Sequence, residues 1–292
     1  MSDSPKPIRK AVITAAGFGT RFLPATKNVP KELLPIIKKP TIHYVVEQCV
    51  EAGIRDIIIV TRFGNHSVED YFDTSPILEK YLRDKGKDKE ADEIKQIYTM
   101  ANFIFVRQNP TLPYGNAAPL YSVKDLVSDG PFVYSWGDDF MLGARAGVAE
   151  VVELYEEEGG DIILNCTRPD KKEIHKMGMV ILKPNSDIVE RIVEKPKPDE
   201  IVSDVCSVSP YVLTPRIFDY LEPTKVEPGK EFLFQPAIDI LTKVGTVRGV
   251  VSKGKWLTNG DPLNYLKSTV EIALSNPEFR DDFLTYLKTK TN

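Results

Sequence analysis

Cysteine and histidine are scarce, with three of each in 292 residues, and there are only two tryptophans. Cys49, Cys166 and Cys206 are too few and too widely spaced for a disulfide framework or a zinc site, and they read as buried thiols of a reducing compartment. His43 has no Cys, Asp or second His at metal-ligand spacing, which makes it a partly buried surface histidine rather than a ligand. No apolar run approaches the ~18 residues of a membrane span, and residues 1–8 lack the apolar core of a signal peptide. The expectation is a cytoplasmic protein with no membrane partner. Neither sign of charge prevails: 38 basic against 42 acidic side chains leave a net charge of −4, which argues against a nucleic-acid partner held through its phosphates. Two familiar phosphate loops are also missing. No Gly-x4-Gly-Lys-Ser/Thr run occurs, and a dinucleotide fingerprint would need glycine where Phe22 stands.

What the chain has is 42% hydrophobic residues, ample for a large core, and one dense stretch near the start. An apolar run, residues 11–13, reads as a buried strand, and residues 15–35 follow it as Ala15-Ala16-Gly17-Phe18-Gly19-Thr20-Arg21 through Pro30-Lys31-Glu32-Leu33-Leu34-Pro35. Glycines leaving the carboxyl end of a strand lie where open α/β sheets bind ligands. Gly17 and Gly19 let backbone N–H groups approach an anion. Arg21 and Lys31, on a segment stiffened by Pro24, Pro30 and Pro35, bring two cations to the same place. The combination predicts a polyphosphate site.

Gly-x-Gly-Thr-Arg followed by Pro24, Thr26 and Pro-Lys-Glu-Leu-Leu-Pro resembles the signature of the sugar-phosphate nucleotidyltransferases, and most closely their bacterial UTP-glucose-1-phosphate uridylyltransferase subgroup. The resemblance spans residues 10–274. It implies a Rossmann-like α/β fold, a mixed and mainly parallel sheet flanked by helices with a smaller, mostly antiparallel sugar-binding part. It also implies the transfer of a uridylyl group from UTP to glucose 1-phosphate with release of pyrophosphate. On this resemblance Arg21 and Lys31 hold phosphates, and Ala15, Ala16, Gly17, Gly19 and Thr20 form the nucleotide loop.

The rest of the chain supplies the other parts. Residues 41–52 have helical spacing, residues 56–61 read as a central parallel strand, and the charged stretch 79–95 reads as a solvated helix pair. Phe72-Asp73-Thr74-Ser75 with Leu78-Glu79 resembles an insertion of the uridylyltransferase subgroup. The strand 102–106 delivers Arg107-Gln108 to the sheet edge, and Pro113-Tyr114-Gly115-Asn116 follows. A side-chain amide and a bare backbone can both pair with a pyrimidine edge, and the resemblance gives Gln108 and Gly115 that role. The strand 131–136 ends in Gly137-Asp138-Asp139, hard oxygen donors suited to Mg²⁺. Successive strand side chains point oppositely, so one is the ligand; the resemblance indicates Asp138.

A helix over 147–158 and a strand over 161–167 end the first half, and shorter strands over 177–182, 188–194 and 205–213 follow without a linker. One structural unit, residues 1–292, is therefore expected, with a nucleotide-binding half at 1–168 and a sugar-binding half with C-terminal helices at 169–292. Glu194-Lys195-Pro196 resembles a family hallmark, Glu194 taking the sugar and Lys195 its phosphate, with the Gly178 backbone closing over the hexose. Lys195 thereby joins Arg21 and Lys31 as a catalytic candidate. Helices are expected over 262–274, with proline in its first turn, and over 277–288, which carries an apolar stripe, and the resemblance implies a homodimer or homotetramer. Departures from the family pattern occur at Asn116 for histidine, at Ser209-Pro210 before Tyr211, in Glu231-Phe232-Leu233-Phe234-Gln235-Pro236-Ala237, and at Thr258, where the family has its second metal-binding aspartate. Two alternatives follow from them: a different base or sugar phosphate, such as dTTP or CTP, or a sugar-nucleotide-binding regulator of weak activity.

Overall fold

A computed structural model describes residues 5–290; the stretch 1–8 therefore falls partly outside the described residues. The chain begins with β1 (Lys10–Ala15), two short paired strands β2 (Pro35–Ile36) and β3 (Lys39–Pro40), α1 (Thr41–Glu51) and β4 (Asp56–Thr61). It continues through α2 (Ser67–Phe72), α3 (Pro76–Asp84), α4 (Asp88–Thr99), β5 (Asn102–Arg107), α5 (Ala117–Tyr121), β6 (Phe132–Trp136), β7 (Asp139–Leu142), α6 (Val148–Glu158) and β8 (Ile162–Thr167). The second half adds β9 (Gly178–Leu182), β10 (Val189–Glu194), β11 (Cys206–Leu213), α7 (Gln235–Val244), β12 (Val247–Val251), β13 (Lys255–Thr258), α8 (Pro262–Ser275) and α9 (Arg280–Lys288).

The expected class is present. β1 pairs in parallel with β4 and β6, β4 with β5, and β12 with β8, while β9, β10 and β11 join antiparallel. The antiparallel strands are not a separate layer, because all nine belong to one sheet. β8, expected to complete the sheet, lies inside it between β11 and β12.

Period-two alternation divides the core. Val12, Ile58, Val60 and Tyr134 pack on one face with α5 and α7, and Ile13, Ile57, Ile59 and Val133 on the other with α1 and α6. His43 on α1 is more buried than its sequence suggests, its Nδ1 2.8 Å from the Tyr71 hydroxyl and its Nε2 3.2 Å from Glu47. The three cysteines are free and buried.

β11 shapes the molecule. Its residues 206–207 pair with β9, its residues 211–213 pair with β6, and the register shifts between Val208 and Tyr211. Pro210 has no N–H to give the ladder, so the irregularity falls there. Beside this point the sheet forks, β6 leaving on one branch and β9–β10 on the other.

Candidate active site

A cleft of about 1030 Å³ opens over the fork, with Val208 and Tyr211 among its lining. One wall is the loop after β1, which folds as three short 3-10 turns, at Thr20–Phe22, Ala25–Lys27 and Lys31–Leu33. Their prolines fix the turns where a helix would otherwise run on. Ala16, Gly17, Arg21 and Lys31 line the cleft. Ala15 is buried at the end of β1, and Gly19 and Thr20 lie beyond the lining, with Gly19 accepting the Thr26 hydroxyl at 2.7 Å. Arg21 reaches across to donate to the Gly260 carbonyl at 3.3 Å.

Lys31 forms an ion pair with Asp138 and lies 3.3 Å from a Glu32 carboxylate oxygen. Burial works against its charge, yet Asp138 and Glu32 outweigh that and raise its pKa above the ordinary lysine value. Glu32 is fully buried, which pushes its carboxyl up against the pull of Lys31, and its Oε2 has no partner among the described residues. The sequence contained this residue inside the Pro-Lys-Glu run, but nothing there distinguished it from surface charge.

Asp138 and Asp139 both line the cleft at the carboxyl end of β6. Burial and the adjacent Asp138 push Asp139 up to about 7, opposed by a hydrogen bond from Thr258, its partner across the β7–β13 ladder. Thr258 therefore stands at the same spot as the carboxylates. Asp261 does not: it caps α8, accepting from the Asn264 backbone N–H at 3.0 Å and side-chain amide at 2.6 Å.

Gln108, Tyr114 and Gly115, of the loop after β5, form another side of the cleft. Gly115 has φ +150°, and a Cβ there would fall 2.1 Å from the Phe232 carbonyl oxygen, so no other residue fits without separating the two segments. Arg107, delivered with Gln108 to the sheet edge, also lines the cleft, and its guanidinium is tied to the segment after β4. It donates to the carbonyls of Arg62 at 3.2 Å and Asn65 at 2.6 Å and pairs with Glu69 at 2.7 Å.

On the other branch of the fork, Gly178, Glu194 and Lys195 line the same cleft. Gly178 lies so close to its neighbours that a Cβ would sit 2.9 Å from Ser207 Oγ and 3.1 Å from Glu194 Oε2. That Glu194 oxygen is buried without a hydrogen-bond partner among the described residues, and burial raises the carboxyl's pKa. Lys195 adopts a positive φ of 49°, rare outside glycine and held by its N–H bond to the Met177 carbonyl at 3.0 Å. Glu231, Leu233 and Gln235 also line the cleft, quoted in the sequence only as a departure.

Three cations, Arg21, Lys31 and Lys195, and a carboxylate pair on one cleft over a forked α/β sheet have the chemistry of a phosphoryl-transfer class of site. Residues 10–273 match the family described as nucleotidyl transferase, and the chain belongs to that family. Among its relatives, UTP--glucose-1-phosphate uridylyltransferase 2 of Staphylococcus saprophyticus is 38% identical over 286 residues, covering 96% of this chain and 97% of its own. The UTP--glucose-1-phosphate uridylyltransferase of Bacillus subtilis is 36% identical over 290 residues, with 98% of each chain covered. The UDP-glucose pyrophosphorylase of Acinetobacter baumannii superposes with a TM-score of 0.87 at 31% identity, over 97% of this chain and all of that one. A UTP-bound structure from the same species gives a TM-score of 0.86 at 32% identity, over 96% of this chain and 98% of that one.

Proposed function

We propose that the chain transfers a uridylyl group from UTP to glucose 1-phosphate, giving UDP-glucose and pyrophosphate. The observation that carries this reading is the gathering of Arg21, Lys31, Asp138, Glu194 and Lys195 on one cleft, in a chain whose relatives across nearly their whole length are named for this reaction.

A phosphate monoester has its second pKa near ~6, so the sugar phosphate is already a dianion at neutral pH and needs no general base. An oxygen of that phosphate bonds to the α-phosphorus of UTP as the bond from that phosphorus to the bridging oxygen breaks, and pyrophosphate leaves with the electron pair. Arg21 and Lys31 neutralise the leaving pyrophosphate, and Lys195 holds the attacking phosphate in line. Ala15, Ala16, Gly17, Gly19 and Thr20 supply the backbone of the nucleotide loop. Gln108 and Gly115 read the uracil edge, and Gly178 and Glu194 hold the hexose.

The donor set suits Mg²⁺. Among the described residues no three metal-ligating side chains cluster, and Mg²⁺ commonly takes one or two carboxylates, completing its shell with water and phosphate oxygens. Asp138 would hold it, and the ion would supply positive charge to the phosphates. The buried free thiols support a reducing cytoplasmic compartment, and no helix among the described residues is long and apolar enough to cross a membrane. Exposed Leu263, Leu266 and Leu284 on the C-terminal helices support assembly into a homodimer or homotetramer.

The test is turnover of the purified protein with each nucleoside triphosphate, glucose 1-phosphate and Mg²⁺, following pyrophosphate. UTP should be used fastest. Preference for dTTP or CTP at equal concentration would overturn the base assignment, and no turnover with any of them would overturn the activity.

A further inference from the structure

Residues 231–235 run past the base loop as a strap. Its odd-numbered side chains, Glu231, Leu233 and Gln235, face the cleft, while Phe232 and Phe234 are buried in the core. This alternation makes the strap a two-faced wall, and its position is set by what it is tied to. The Phe232 N–H donates to the Tyr114 carbonyl at 2.7 Å, and the Phe232 carbonyl accepts from the Ala117 N–H at 2.9 Å. Those two bonds fix one end of the strap to the base loop.

The other end runs into α7, its Phe234 ring packed edge-on against Tyr134 and Tyr211, and one side chain ties it to the base loop. Asn116 Oδ1 accepts the Phe234 N–H at 3.1 Å, and Asn116 Nδ2 donates to Gln235 Oε1 at 3.0 Å. Asn116 and Gln235 are two of the positions where the sequence departs from its family's pattern, and here they touch. The strap's Glu231 lines the same cleft as Glu194 of the opposite branch of the fork.

We propose that Asn116, although it belongs to the base loop, is a positioning residue for the sugar, locking the strap so that Glu231, Leu233 and Gln235 form the wall against which the hexose phosphate is held. This rests on the functional reading above. Without the Asn116 amide, the base loop keeps its own anchors: the Tyr134 hydroxyl donates to the Asn116 carbonyl at 2.8 Å, and the Phe232 bonds remain. The strap beyond Phe232 loses both of its hydrogen bonds to the base loop, and a buried backbone N–H loses its acceptor, while α7 and the packed Phe234 ring stay in place.

Calorimetric titration with UDP and with UDP-glucose separates the two effects without relying on turnover. Asn116→Ala should bind UDP within about twofold of the wild type and UDP-glucose about tenfold more weakly, the consequence of losing one or two buried hydrogen bonds. Gln235→Ala should weaken UDP-glucose in the same selective way. Asn116→Asp should restore much of the loss, because a carboxylate still accepts from Phe234 and the Gln235 amide can turn to donate. Equal weakening of UDP and UDP-glucose in Asn116→Ala, or weakening of neither, overturns the proposal while leaving the functional reading intact. A wild-type protein that binds neither ligand removes that reading and this inference with it.

Discussion

Lys31 faces two carboxylates in the free protein and, on the proposed reaction, phosphate in the complex, so its removal has two separable consequences. Lys31→Ala should lower kcat by 10²–10³, the usual cost of deleting a preorganised electrostatic donor. It should also destabilise the fold by about 3 kcal/mol, because Asp138 and buried Glu32 lose their counter-charge. Arg21 is exposed and makes one long hydrogen bond to a carbonyl, so Arg21→Ala should lose comparable activity with an unchanged melting temperature. Near-normal kcat in either variant would sink the phosphate assignment. The same reasoning applies around Thr258. Asp138→Ala should abolish turnover, Asp261→Asn should keep most of it because asparagine also caps helices, and Thr258→Asp should lower the Mg²⁺ concentration giving half-maximal rate. If Asp261→Asn proves as inactive as Asp138→Ala, Asp261 is a metal ligand. Residues such as Arg21 and Lys31 were legible because their charges sit on a proline-stiffened loop of recognisable pattern. Glu32 was not, since only burial distinguishes it from an ordinary surface glutamate.

Elements with a strong period were legible: β4 spans the expected 56–61, and the charged stretch 79–95 divides into α3 and α4, which extend three residues before it and four beyond. β7, β12 and β13 were not foreseen. Each has only four or five residues, and β7 and β13 exist as strands because they pair across a long stretch of sequence, Asp139 with Thr258. The start of α9 was placed three residues early, at Pro277, because the chain first turns at Asn276, which accepts the Glu278 N–H at 2.9 Å. Arg107 illustrates the same limit for a side chain, since the sequence puts it at the sheet edge but cannot reveal that five groups between Thr61 and Glu69, in and beside the loop after β4, claim its guanidinium. Arg107→Met should therefore destabilise the fold by about 1–3 kcal/mol, as expected when buried acceptors lose a charged donor. It should also raise the KM for UTP, because Arg62 and Phe63 of that loop line the cleft. A variant with a normal melting temperature and a large fall in kcat would mean that Arg107 acts on substrate directly.

At the scale of the whole molecule, the order of strands along the chain differs from their order in space. β11, from the second half of the sequence, lies between β6 and β8 of the first, and β12 covers the far edge of β8. A nucleotide-binding half cut at residue 168 would therefore expose both edges of β8 and one edge of β6, with the apolar face that α7 covers. Unpaired backbone on central strands and an uncovered core face cannot be satisfied by water without losing the packing that makes the strands form. Residues 1–168 expressed alone should accordingly show no cooperative thermal transition and poor amide dispersion by NMR. The full chain should unfold in one step, with far-ultraviolet dichroism and tryptophan fluorescence giving the same midpoint, since Trp136 ends β6 and Trp256 lies in β13. The reason reaches the site itself: the cleft lies on the fork that β11 creates, so the cations of the first half share a cleft with Gly178, Glu194 and Lys195 only when the second half is threaded into the sheet. A cooperative melt of the isolated fragment, or two separate transitions in the full chain, would show that the halves are independent domains.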